Sequence, residues 1–83
     1  MATTNLSDYD KTTIPNAKNL RFGIVVSEWN ATITENLFKG AKETLLDNGA
    51  LEKNITKINV PGSFELIYGC KFLLKKHKFD ALI

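Results

Sequence analysis

The chain carries a single cysteine, Cys70, and a single histidine, His77, among its 83 residues. One cysteine cannot build an intramolecular disulfide framework, and such sparing use fits a reducing compartment. Cys70 falls on the apolar side of a helical pattern, which assigns it to packing rather than to reactivity. There is no Cys or His pair at ligand spacing, so no metal site is expected. No Ser/His/Asp set has a usable histidine either, because His77 lies among lysines at what reads as an exposed helix end. Glycine-rich phosphate loops of both common patterns are missing. The opening Met1-Ala2-Thr3-Thr4-Asn5 has neither the basic start nor the apolar core of a secretory signal. No apolar run approaches the roughly 20 residues of a membrane span. The expected location is therefore cytoplasmic, with no membrane partner. The triplets Asn5-Leu6-Ser7, Asn30-Ala31-Thr32 and Asn54-Ile55-Thr56 are then chance matches to the glycosylation pattern.

What is present describes a piece of an α/β protein. Hydrophobic residues make up 43% of the chain, enough for a core, but 83 residues fall short of the usual domain of about 100–150. The net charge is +2, from 11 basic and 9 acidic residues. These charges are interspersed except at Lys75-Lys76-His77-Lys78, where cations complement a helix C-terminus. That run reads as a solvated helix end, and no nucleic-acid partner is expected from it.

Residues 1–19 are polar, rich in Thr, Asn and Asp, and interrupted by Pro15, so they read as an arm, disordered or ordered by a neighbouring subunit. Leu20 to Ser27 forms a nearly continuous apolar run, the mark of a strand buried on both faces of a parallel sheet. Thr32-Ile33-Thr34-Glu35 matches a capping box, and Ile33, Leu37, Ala41 and Leu45, widened by Phe38 and Leu46, predict an amphipathic helix stopped at Asn48-Gly49. Ile55 to Val60 predicts a second strand, and its Thr56, Lys57 and Asn59 place it nearer the sheet edge. Ser63 is a plausible cap for a second helix with the stripe Leu66, Cys70, Leu73 and Leu74. Phe79 to Ile83 opens a third strand. The order β-α-β-α-β predicts parallel strands with right-handed connections.

Ser27-Glu28-Trp29-Asn30 and Val60-Pro61-Gly62-Ser63-Phe64-Glu65 each follow a strand and precede a helix. In a parallel sheet both emerge at the C-terminal edge, where ligands bind. The Trp29 indole either stacks on a planar heteroaromatic ring or caps the sheet, and Asn30 offers a donor and an acceptor beside it. Glu28 reads as a catalytic carboxylate or, as is commoner for a lone loop acid, a solvated one. Pro61 fixes the exit angle, Gly62 permits close backbone approach, and Ser63 and Glu65 either bind hydroxyl groups or serve the helix start.

Arg21-Phe22-Gly23-Ile24-Val25-Val26-Ser27-Glu28-Trp29-Asn30, Val60-Pro61-Gly62-Ser63-Phe64-Glu65 and Phe79-Asp80-Ala81-Leu82-Ile83 resemble, in order and spacing, the lumazine synthase family of riboflavin biosynthesis. The resemblance runs from about Leu20 to Ile83, roughly the N-terminal half of a subunit in that family. It implies the first part of a single domain over 20–83, following the arm over 1–19. The implied fold is a three-layer α/β/α sandwich around a central parallel sheet, flavodoxin-like, of which the chain holds the β-α-β-α-β half. Homo-oligomeric assembly as a pentamer, or as an icosahedral shell of pentamers, is implied with it.

The implied reaction condenses 5-amino-6-(D-ribitylamino)uracil with 3,4-dihydroxy-2-butanone 4-phosphate to 6,7-dimethyl-8-ribityllumazine, without metal or cofactor. By the same resemblance Trp29 stacks on the pyrimidine with Asn30 beside it, while Ser63, Phe64 and Glu65 hold the uracil and ribityl groups. The phosphate-binding element and its acid/base histidine are expected downstream of Ile83. The 83-residue chain alone is therefore expected to be inactive. The alternative is a non-catalytic module on the same fold, holding a flavin-like ligand or building an oligomer.

Overall fold

Phe22–Ser27 (β1) is an unbroken run of apolar and small residues, and all of it is buried. A strand of this kind needs cover on both faces and partners on both edges, which is the position β1 takes. The computed structural model describes residues 11–83. The sequence expectations for residues 1–10, including Asn5-Leu6-Ser7, lie outside the described residues.

After β1 the chain forms helix α1 (Ala31–Asp47), strand β2 (Ile55–Val60), helix α2 (Leu66–Lys76) and the short strand β3 (Ala81–Leu82). The three strands form a parallel sheet in the order β2-β1-β3. β1 and β2 pair along their whole length, from Phe22 opposite Ile55 to Ser27 opposite Val60. The β3 pairing extends past its ends: the Asp80 N–H donates to Arg21 O, and Ile83 exchanges bonds with Gly23 and Val25. Asp80 adds a side-chain bond, accepting the Arg21 N–H at 2.7 Å.

With β1 in the middle, two right-handed crossovers must leave on opposite faces of the sheet. The packing follows that rule and the two-residue period of the strand. On the α1 face, Phe22 packs with Ala17, Ala50, Leu45 and Ile55. On the α2 face, Val25 packs with Val60 and Leu73, supported by Ile58, Leu66, Cys70, Phe79 and Leu82. An α/β architecture with a helix on each side of a parallel sheet is therefore present, as the sequence pattern predicts.

Two local expectations are corrected. The capping box at Thr32–Glu35 is not formed: α1 starts earlier, at Ala31, with Asn30 as its N-cap and no side-chain capping bond. Glu35 is drawn instead to Lys57 and Asn59 on β2. Ser63 does not cap α2 either. It opens a short 3-10 helix, Ser63–Glu65, ahead of α2, and no side-chain capping bond is made at either start.

The predicted helix stripes also shift. Ile33 and Leu74 are 62% and 58% exposed and stand outside the inward faces, while Leu37, 69% exposed, faces an open cleft beside β1. The inward positions of α2 are Leu66, Gly69, Cys70 and Leu73, a better match to helical spacing once the glycine is included.

The stop at Asn48-Gly49 is realised as a Schellman closure: the Gly49 N–H donates to Leu46 O and the Ala50 N–H to Leu45 O. Gly49 has φ +97°, a conformation that glycine adopts without steric cost. This helix end also receives part of the segment expected to be an arm. Ala17 is buried, its N–H donates to Asn48 O, and the Asn16 side chain lies against Gly49. Asn16 and Ala17 thus make contacts with the end of α1.

Candidate functional site

The last rung of the β1/β2 ladder sets the geometry of both candidate loops. Ser27 stands opposite Val60, and the Glu28 N–H donates to Val60 O at 2.7 Å, one residue beyond the strand. The loop after β1 and the turn after β2 therefore leave the same sheet edge side by side. This is the C-terminal edge of a parallel sheet next to the point where strand order reverses, the usual place for a ligand crevice.

In the first loop, the Trp29 N–H donates to Ser27 Oγ at 3.2 Å, a local turn closed by a buried serine. Asn30 follows at φ 58° and ψ 51°, the one non-glycine residue with positive φ among the described residues. Asparagine tolerates this left-handed conformation better than most side chains. It reverses the chain and points it into α1, where Asn30 O accepts the N–H groups of Ile33 and Thr34. The outcome for Trp29 is an indole that is 73% exposed. At that exposure most of the indole is uncovered. Glu28 and Asn30 are exposed as well.

In the second segment Ser63 is exposed and Phe64 is 93% exposed, while Glu65 is half-buried. The Glu65 N–H donates to Gly62 O at 3.2 Å, closing the 3-10 turn. Its carboxylate folds back over Gly62, so that a Cβ on that glycine would lie 3.5 Å from Glu65 Oε1. No side-chain hydrogen bond occupies Ser63 or Glu65 among the described residues. Polar groups and two aromatic rings are thus presented at one edge without internal partners, although no bond links the two segments directly.

An apolar cleft of about 180 Å³ opens beside the sheet, between α1 and β1, with Ile24, Val26, Leu37, Phe38, Ala41 and Ile83 on its walls. Trp29, Asn30, Ser63, Phe64 and Glu65 do not line it. The cleft also holds Thr34, whose hydroxyl is buried without a hydrogen-bond partner. The five candidate residues therefore form an open rim and not an enclosed pocket.

His77 lies at the other end of the molecule. α2 runs back from the loop edge, and His77 follows its last turn, edge-on to Phe79 at 5.9 Å between ring centres. Phe79 precedes Asp80, which bonds the start of β1. Among the described residues no cluster of His, Cys, Asp and Glu suits a metal ion, and no helix is long and apolar enough to cross a membrane.

Three features of the site escaped the sequence reading. Ser27 as the lock of the Trp29 turn carries a signal, a hydroxyl residue two positions before the N–H it accepts. Asn30 as a left-handed pivot carries only a weak one. Glu35 as a cross-link to β2 carries none, because its partners lie 22 and 24 residues away.

Residues 19–83 match the family described as 6,7-dimethyl-8-ribityllumazine synthase. Curated relatives bearing that name include one from Flavobacterium psychrophilum, 63% identical over 99% of this chain and 43% of the relative. A second, from Christiangramia forsetii, is 60% identical over 95% of the chain and 48% of the relative. A third, from Flavobacterium johnsoniae, is 61% identical over 95% of the chain and 42% of the relative. The chain thus spans a little under half the length of these relatives. Together with the β2-β1-β3 parallel sheet and the paired loops at its edge, these matches show that the chain belongs to the 6,7-dimethyl-8-ribityllumazine synthase family.

Proposed function

We propose that this chain supplies the pyrimidine-binding side of a lumazine synthase active site. The reaction is the condensation of 5-amino-6-(D-ribitylamino)uracil with 3,4-dihydroxy-2-butanone 4-phosphate to 6,7-dimethyl-8-ribityllumazine. The observation that supports this reading is the Ser27–Val60 register, by which the loop bearing the exposed Trp29 and the turn bearing the unpartnered Ser63 and Glu65 leave the same sheet edge. Trp29 stacks on the uracil ring, Asn30 and Ser63 bond its polar edge, Phe64 covers it, and Glu65 accepts from ribityl hydroxyls. The contribution of these residues is orientation: holding one reactant in place converts a two-body encounter into a positioned one. Proton transfer belongs to a histidine other than His77, which follows α2 at the opposite sheet edge.

The decisive measurement is the affinity of the protein carrying this chain for ribitylaminouracil. Trp29→Ala should weaken it by about 1–3 kcal/mol, the range for base stacking on an aromatic ring. Unchanged affinity would refute the assignment.

The same reading includes cytoplasmic location and self-association into pentamers. Support for association comes from the outer side of α2 and the turn before it, where Phe64, Ile67, Tyr68 and Leu74 are 93%, 78%, 67% and 58% exposed. Apolar area of this extent at a helix face is a surface that gains from a partner. The molecular mass in solution tests it, and a monomer would contradict it.

A further inference from the structure

We propose that Glu35 is a positioning residue for the loop bearing Trp29. Its carboxylate ties the start of α1 to the end of β2 and so sets the gap between the indole and the Ser63–Glu65 segment. The proposal rests on the assignment of those residues to the pyrimidine site.

The start of α1 lacks the usual side-chain anchors. Its N-cap, Asn30, makes no side-chain capping bond, and its first turn has no acidic residue. The link to the sheet comes from Glu35 instead, with both oxygens engaged. Oε1 accepts from Lys57 Nζ at 2.7 Å, and Oε2 accepts from Asn59 Nδ2 at 3.1 Å. Lys57 is held in turn, with its ammonium 4.5 Å from the centre of the Phe38 ring. One turn of α1 is thus fixed to two alternate residues on one face of β2.

The position of this bridge gives it its consequence. Asn59 immediately precedes Val60, whose carbonyl takes the Glu28 N–H. The root of the Trp29 loop is thereby pinned twice, once on the backbone through Glu28 and Val60 and once through Glu35. The Ser63–Glu65 turn hangs from the same short stretch of β2. The side chains of Lys57 and Glu35 are 31% and 43% exposed. Ion pairs so exposed contribute little to stability, so the effect falls on orientation.

The test measures ribitylaminouracil binding and thermal midpoint in the protein carrying this chain. Glu35→Gln should raise Kd about three- to tenfold with little change in midpoint, as expected for groups coupled in one network. Lys57→Met keeps an unbranched side chain of similar length beside Phe38, guards against a folding defect in the first variant, and should give the same loss. In a Trp29→Ala background the loss should vanish, because Glu35 acts through the indole. The proposal is overturned by unchanged Kd in both variants, or by a loss that persists undiminished beside Trp29→Ala. Wild-type protein that fails to bind ribitylaminouracil would instead overturn the site assignment, and the proposal with it, a result separate from the Glu35 arms.

Discussion

Gly69 of α2 faces Val25 of β1 so closely that a Cβ on the glycine would lie 2.6 Å from Val25 Cγ1 and 3.0 Å from Val60 Cγ1. The helix reaches the sheet because this position has no side chain. Alanine there would gain helix propensity, worth about 1 kcal/mol. It would also force α2 off the two strands, and overpacking of that kind costs about 1–3 kcal/mol. We expect Gly69→Ala to lower the denaturant midpoint at unchanged slope, and an equal or higher midpoint would contradict the close packing.

Asn30 separates backbone need from the proposed pyrimidine contact. Its φ of 58° suits glycine at least as well as asparagine. Asn30→Gly should therefore fold with nearly wild-type stability and yet bind the pyrimidine more weakly, through loss of the amide. Asn30→Val should cost about 1–2 kcal/mol of stability, the penalty of the left-handed conformation for ordinary side chains. Thermal midpoints and substrate titrations on the pair distinguish the two effects.

Glu35 also predicts a pH dependence with a definite sign. Hydrogen bonds from Lys57 and then Asn59 hold its carboxyl below the usual value of 4.5. A depressed native value means that the unfolded chain binds the proton more readily, so the contribution is fully present above the unfolded value. It is lost as pH falls from there through the lower native value. Glu52, lowered by its bond from Lys42, behaves in the same sense. Glu35→Gln should flatten the acid limb of the thermal midpoint only slightly between about pH 6 and about pH 3, in keeping with the small contribution of so exposed a pair. An unchanged acid limb would show that Glu35 contributes nothing to it.

His77 offers a negative control. It contacts Phe79 at the sheet edge away from the loops, so under the proposed function His77→Ala should leave lumazine formation by the protein carrying this chain within experimental error. A large drop would force the site to be relocated.

The strands were legible because their signal is local. β2 has the predicted limits, Ile55 to Val60, and its polar residues place it at the side of β1, as expected. The pairing of the two loops was equally legible, since parallel strands put every strand-to-helix turn at one edge. What could not be read depends on partners distant in sequence. Thr32 and Glu35 have the spacing of a capping box, yet Lys57 and Asn59 claim the glutamate. Ser63 looks like a cap, yet a 3-10 turn precedes the helix. Gly69 carries no apolar signal, so the inward stripe of α2 was displaced towards Leu74. The freedom of the Trp29 indole likewise depends on what surrounds it in space.

The bond from Glu28 N–H to Val60 O makes one amide in an exposed loop a rung of the sheet. Such a proton exchanges with solvent only when the loop root opens, unlike those of free loop residues. Its exchange rate is therefore a clock for the opening of the proposed ligand edge, readable without any added probe. Ligands that clamp the two segments together should slow it, whereas ligands that touch only one should leave it unchanged.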